Sequence, residues 1–267
     1  MSVDAIEKAE WETEMQALCE QHRWTLLDEE IDAPNSPFIR RIIDHKGRPH
    51  ILKVRAAQLY KENETEAMLA FRASRRVPKV RVLSEDSLVF LVKDLGGLTL
   101  HLAMRADEEF LWRSAKLVRR LHRLPVPDWA LPVPRRLALR HHVVNWPDEM
   151  NRRAHEALDE LLAGPSEDYF LHGDFHPRNV IVSKGKLWAI DPFGLRGDRA
   201  YDVALMAAHT SDPIRAASKL EARYGEELPR LNLWLAWCCY MAISNLRIRG
   251  EDTTAAQEAL RRLTPGR

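Results

Sequence analysis

The sequence predicts an α+β chain, with a small, mainly antiparallel β region followed by a larger, mainly helical one. Three observations carry this expectation. Between Trp24 and Val92, short apolar and β-branched runs are separated by turns rich in Pro, Asn, Ser, Asp and Gly. From Leu98 onward apolar residues recur mostly at helical spacing. Within that second region, two apolar runs between Leu171 and Asp191 flank a Lys184-Gly185-Lys186 turn and read as a β-hairpin.

The bounds agree with a globular chain. At 267 residues and 45% hydrophobic content it can bury a sizeable core. Forty basic residues against 39 acidic ones leave a net charge of +1, which is no footprint for a nucleic acid. Met1 to Glu20 is charged and amphipathic, without an apolar segment of the length a signal peptide or membrane span needs. A cytoplasmic protein with no membrane partner is the expectation. Cys19 and the adjacent Cys238 and Cys239 give neither a disulfide framework nor a Cys-x-x-Cys pair, so reduced, buried thiols are expected.

Taken in order, Asp4 to His22 reads as an amphipathic helix, with Ile6, Ala9, Met15, Leu18 and Cys19 at helical spacing. Trp24 to Leu27, Phe38 to Ile43 and His50 to Val54 read as strands. Gln58 to Ser74 reads as a helix with Glu62, Glu64 and Glu66 near its start, where acids suit the helix dipole. Two further strands, Lys79 to Leu83 and Leu88 to Val92, run into Lys93-Asp94-Leu95-Gly96-Gly97. Asp107 to Leu124 has an acidic start, a basic end and Pro125 as its stop. Pro125 to Pro134 is the best linker candidate by proline density. Pro134 to Val144 and Asp148 to Ala163 read as helices. After the hairpin, Asp198 suits an N-cap for a helix through Ala208, followed by helices over Pro213 to Tyr224, Leu228 to Arg249 and Thr253 to Leu263.

The hairpin carries the chemistry. Asn179 opens its first strand, Asp191 closes its second, and Asp174 lies in the loop five residues before Asn179. One aspartate to take a proton, with an asparagine and a second aspartate to hold magnesium, is the set that phosphoryl transfer from a nucleotide uses in the kinase arrangement. A competing reading takes His172, His176 and Asp191 as ligands of a metallohydrolase. It leaves Asn179 and Lys53 without a role.

His172-Gly173-Asp174-Phe175-His176-Pro177-Arg178-Asn179, then Ile190-Asp191-Pro192, then Gly197-Asp198-Arg199-Ala200-Tyr201-Asp202, resembles the aminoglycoside phosphotransferase superfamily, most of all its streptomycin and hydroxyurea phosphotransferase branch. The resemblance implies a two-lobed protein-kinase-like fold, with residues 1–95 as a nucleotide-binding lobe and 96–267 as a catalytic, substrate-binding helical lobe. It implies an ATP- or GTP- and Mg2+-dependent transfer of the γ-phosphate to a small-molecule hydroxyl. Asp174 would be the base, and Asn179 and Asp191 the magnesium ligands. Lys53 would grip the phosphates and pair with Glu66, since Glu66-Ala67-Met68-Leu69 resembles the family's Glu-Ala-x-x-Leu, with Glu62 and Glu64 as alternatives. Val92, Lys93, Asp94 and Leu95 would form the hinge that meets adenine. The turn Ala33 to Phe38 has no glycine, so Ser36, with Asn35, would be left to meet phosphate oxygens.

That glycine-free turn keeps a nucleotide-binding pseudokinase as an alternative, beside a kinase of a protein or a lipid-linked sugar. Residues 200–267 hold eight acids against nine Lys and Arg, which argues against a polycationic aminoglycoside. Asp202 is expected to brace the catalytic loop as a hydrogen-bond acceptor. Arg178 is expected to contact phosphate or substrate, or to face solvent. Trp146, Trp234 and Trp237 are candidates for stacking on an acceptor, with core packing as the simpler role.

Overall fold

A computed structural model of the chain describes residues 3–27, 39–54, 63–84, 89–133 and 148–264. Helix α1 (Val3–His22) leads into a five-stranded sheet of β1 (Thr25–Leu26), β2 (Ile39–Ile43), β3 (Pro49–Val54), β4 (Val80–Val82) and β5 (Val89–Lys93), in the order β1-β2-β3-β5-β4. Its pairs are antiparallel. The helix expected over Gln58 to Ser74 appears as α2 (Glu64–Phe71), with a 3-10 turn over Arg72–Ser74. Its expected first turns, and the helix expected over 134–144, fall outside the described residues.

The period of two along the strands divides this sheet between two cores. Leu52, Val54, Val89 and Leu91 pack with Met15, Cys19 and Trp24 on the α1 side. Phe90 and Val92 point the other way, into the main core, as does half-buried Ile51. Lys53 sits between Leu52 and Val54 in β3, so alternation turns it towards the main core's face. A lysine inside this apolar run is thereby aimed inward.

Past β6 (Leu98–Thr99) and the one-turn α3 (Leu100–Ala103), the chain is largely helical: α4 (Glu109–His122), α5 (Asp148–Ala163), α6 (Arg199–Ala208), α7 (Pro213–Tyr224), α8 (Leu231–Ile248) and α9 (Thr254–Leu263). Helix α8 lies centrally, with α5, α6 and α9 packed against it. Its residues Trp234 to Tyr240 are all buried. The expected hairpin forms as β9 (Val180–Ser183) and β10 (Lys186–Ala189), and β6 adds to it as a third strand. A second small sheet joins β7 (Leu131–Pro132), β11 (Leu195–Gly197) and β8 (Tyr169–Leu171).

Two local expectations change. Residues 125–133 are not a linker, because Ala130 and Val133 are core residues and Trp129 packs at the edge of Phe170, with ring centroids 5.7 Å apart. Asp198 stands at the N-cap position of α6 but makes no capping hydrogen bond. Its carboxylate instead accepts from Trp234 Nε1 at 2.8 Å and from the Glu167 N–H at 2.7 Å, and pairs with Arg230. A buried carboxylate is satisfied there by tertiary donors rather than by its own helix. No helix among the described residues is long and apolar enough to cross a membrane.

Candidate active site

Lys53 is 7% exposed and its ammonium lies 2.8 Å from Glu64 Oε1 and 2.5 Å from Asp191 Oδ1. Burial opposes its charge, but the two carboxylates outweigh that and raise its pKa above the ordinary lysine value. The partner on α2 is thus Glu64, not Glu66. Two residues advance a helix by about 200°, so burying Glu64 (5% exposed) leaves Glu66 facing solvent. The glutamate of the Glu-Ala-x-x-Leu likeness lies on the opposite, exposed side of the same turn.

Asp191 follows β10 in a left-handed backbone conformation (φ 57°), one that aspartate tolerates better than most residues. The chain around it is tied on three sides. Ile190 N–H donates to Asn179 O at 3.0 Å, Phe193 N–H to His172 O at 2.7 Å, and Ala189 N–H to Arg76 O at 2.9 Å. Gly194 also has positive φ, and a Cβ there would lie 2.7 Å from the Trp129 ring and 2.8 Å from Ala67 Cβ. Only glycine lets this loop pass beneath α2, the helix that carries Glu64.

The loop bearing Asp174 is held by a buried network. The Asp202 carboxylate, fully buried on α6, accepts the N–H groups of His172 (2.8 Å) and Gly173 (2.9 Å) and lies 2.9 Å from His122 Nε2. His122 Nδ1 meets the Tyr224 hydroxyl at 3.1 Å, and burial pushes that phenol up to about 12. His172 Nε2 meets Ile190 O at 2.9 Å, and its Nδ1 faces the Asp174 N–H at 3.3 Å. Burial lowers the His172 pKa, so the ring is neutral and donates through Nε2. Both ring nitrogens are engaged, which removes His172 as a metal ligand and with it the metallohydrolase set. Asp202 braces the loop as expected.

Asn179 ends a 3-10 turn over Pro177–Asn179. Its Nδ2 donates to Asp174 O at 3.0 Å and to Asp174 Oδ2 at 2.9 Å. Those two oxygens fix which way the amide points, because a flipped amide would set oxygen against oxygen. The Asn179 amide oxygen and the Asp191 carboxylate are hard oxygen donors. Magnesium favours such a pair, completed by substrate phosphates and water, over a full cage of side chains. The residues present fit that ion.

The segment 92–95 lies at the end of the sheet. Val92 is flanked by Ile51 and Val80, Lys93 is exposed, and its N–H donates to Lys79 O at 2.8 Å. The Asp94 carboxylate is 2.7 Å from Arg41 Nε and accepts the Gly96 N–H at 2.9 Å, while Leu95 O accepts from Ser183 Oγ at 2.8 Å. Ser36 lies outside the described residues. Arg178 is half-buried rather than open to solvent. Its guanidinium pairs with Glu251 at 2.5 Å.

Around Asp174 a narrow cleft opens between α6 and α8, a site the sequence did not mark. Tyr201 and Leu205 of α6 and Met241 and Asn245 of α8 line it, with Trp237 and Cys238 at its base. His176 Nε2 stands 3.6 Å from Asp174 Oδ2, and its ring stacks on His209 with centroids 5.1 Å apart. Trp234 and Trp237 are buried in the core, and Trp146 is outside the described residues. The only sequence signal for this cleft is the i, i+4 pairs Tyr201/Leu205 and Met241/Asn245, which look the same in an ordinary core.

Comparison with known proteins adds a family. The profile described as "Aminoglycoside/hydroxyurea antibiotic resistance kinase" matches residues 23–227. Streptomycin 6-kinase of Streptomyces griseus is 27% identical over 193 residues, spanning 68% of this chain and 62% of that protein. Streptomycin 3''-kinase of Klebsiella pneumoniae is 36% identical over 128 residues, 42% of this chain and 45% of that one. The chain thus matches less than two thirds of the length of either curated relative. Among solved structures, the choline kinase LicA of Streptococcus pneumoniae superposes with a TM-score of 0.67 at 13% identity, over 94% of this chain and 99% of that one, a likeness of fold.

Proposed function

The chain belongs to the aminoglycoside/hydroxyurea antibiotic resistance kinase family, and from that premise we propose that it transfers the γ-phosphate of ATP to a hydroxyl group of a small molecule. The observation that carries this reading is the convergence of Lys53, Glu64 and Asp191 beside the Asp174–Asn179 pair. In this reading the acceptor oxygen bonds to the γ-phosphorus while the bond from that phosphorus to the bridging oxygen of ADP breaks. ADP leaves with the electron pair, and the hydroxyl proton passes to the Asp174 carboxylate. Asn179 holds that carboxylate in place through Oδ2. Lys53, kept charged by Glu64, supplies positive charge for the phosphates. Magnesium held by Asn179 and Asp191 would neutralise phosphate charge. Backbone groups of residues 92–95 would meet the adenine edge, and residues 1–95 and 96–267 would act as the nucleotide and acceptor lobes. Three free, buried cysteines suit a reducing cytoplasm, which is where we place the reaction.

The test is Asp174→Asn. With MgATP and streptomycin as a first acceptor, taken from the relatives' names, transfer should fall by roughly a hundred- to ten-thousand-fold, while nucleotide binding and melting temperature stay near those of the wild type. A variant that keeps full activity removes Asp174 as the base.

A further inference from the structure

We infer that His176 is a positioning residue for Asp174, presenting a fixed ring N–H to the carboxylate without taking up a proton itself. This rests on the phosphotransferase reading, because it treats Asp174 as the base. The tautomer is the first argument. His176 stands at the N-cap of the 3-10 turn over Pro177–Asn179, and its Nδ1 accepts the Arg178 N–H at 3.2 Å. A ring nitrogen that accepts carries no proton, so the proton sits on Nε2. Nε2 is the atom that faces Asp174 Oδ2, at 3.6 Å. That separation is longer than a formed hydrogen bond, and contacts of this kind tighten when substrate is bound. With Nδ1 occupied and Nε2 protonated, the ring has no nitrogen to receive the acceptor's proton, which stays with Asp174.

The setting of the ring is the second argument. Its side chain is 12% exposed, and it stacks on His209 with centroids 5.1 Å and planes 29° apart. His209 is itself tied to α6, its Nδ1 lying 2.9 Å from Leu205 O. Turning the His176 ring over would set carbon where the Arg178 N–H finds its acceptor. The backbone of the same residue links base and asparagine: its N–H donates to Asp174 O at 3.1 Å, and its carbonyl accepts the Asn179 N–H at 2.9 Å. The third argument is a division of labour. Asn179 Nδ2 also donates to Asp174 Oδ2, but in the phosphotransferase reading the Asn179 amide is shared with magnesium. The His176 ring has no such second duty, so it steadies the base whether or not the metal is in place.

The experiment separates the cap from the N–H. His176→Asn keeps a good capping acceptor for the Arg178 N–H, but its shorter amide does not span to Asp174. His176→Gln caps poorly, and its longer amide restores an N–H near the place of Nε2. ADP release from MgATP is measured for both, with streptomycin and with water alone as acceptor. His176→Asn should lose about tenfold in kcat, with KM for MgATP within about twofold of the wild type. His176→Gln should recover at least about threefold of that loss. Long-range 1H–15N spectra of the wild type should show the His176 ring, identified by its loss in the variants, protonated at Nε2. Full kcat in His176→Asn, a His176→Gln enzyme no better than His176→Asn, a loss confined to KM, or a proton on Nδ1 would overturn the inference. Each of these leaves Asp174-dependent ADP release, and with it the phosphotransferase reading, standing. Wild-type ADP release that is absent, or that Asp174→Asn does not reduce, overturns that reading and the inference together.

Discussion

The two charged regions of the site are built on opposite plans. The Lys53 cluster joins three elements far apart in sequence, β3, α2 and the Asp191 turn, through permanent charges, with 138 residues between Lys53 and Asp191. The Asp174 loop is braced by the His172 ring, which meets Ile190 O, and by backbone N–H groups that converge on one buried carboxylate, Asp202. The first plan is open to exchange. Asp191 has a side chain 35% exposed and shares Lys53 with Glu64, so the arrival of nucleotide phosphates can draw Lys53 away while Glu64 keeps hold of it. The second plan has no such slack, since the loop's N–H groups at 172 and 173 depend on one side chain. The proposed reaction suits this difference, since a base must be fixed before the acceptor arrives, whereas a phosphate grip must reorganise when its ligand does.

The largest effect should come from breaking the braced side. Asp202→Ala strands two buried backbone N–H groups and His122. By analogy with the removal of one partner from a buried charged pair, this costs about 3–5 kcal/mol. Urea unfolding should show this as a lower midpoint with an unchanged slope. An Asp202→Ala protein within about 1 kcal/mol of the wild type would mean the loop is held by something other than this network.

Acid separates the two sides next. His209, stacked on His176 beside Asp174, is pushed down to about 3, first by burial and then by His176. A histidine with a lowered folded-state pKa binds protons in the unfolded chain before it binds them in the native one. Stability on this side therefore falls as pH drops from about 6.5 towards 3, by up to about 1.4 kcal/mol per pH unit. His172, also lowered, adds in the same direction. Lys53 has the opposite sign. Its folded pKa is raised, so its contribution is complete below the ordinary lysine value and is lost only as pH rises past the raised one. Denaturation at stepped pH should show acid sensitivity that weakens in His209→Leu. An identical acid slope in that variant would assign the sensitivity elsewhere.

Which parts of this were legible follows from how local each signal is. Lys53 could be read because a lysine between Leu52 and Val54 breaks an apolar run, and alternation alone sets its direction. Asp174, Asn179 and Asp191 sit on one hairpin whose turn the sequence spells out. Asp202 was readable as an acceptor but not its partners, since His122 lies 80 residues away. Arg178–Glu251 spans 73 residues, and nothing in either neighbourhood announces it. Strands β7, β8 and β11, two or three residues each, are too short to show a period. The cleft walls were hidden for another reason. Helix α8 is apolar around most of its circumference, so no face of it stands out as lining a site.

The smallest expected effect is the one that best sharpens the comparison, because it sets two glutamates of one helix against each other. Glu64→Gln keeps a hydrogen-bond acceptor near Lys53 but removes one of the ammonium's two charges, leaving Asp191 as its single carboxylate. When phosphates draw Lys53 away from Asp191, only a neutral hydrogen bond then holds it on the α2 side. The expected loss is about tenfold in kcat/KM for MgATP, most of it in KM. Glu66→Gln, on the solvent side of the same turn, should stay within about twofold of the wild type, the range of an exposed substitution. Steady-state kinetics on the two variants side by side decides the matter. Equal losses would mean that the charge of the helix start matters rather than one ion pair, and a loss confined to Glu66→Gln would mean that α2 turns when nucleotide binds.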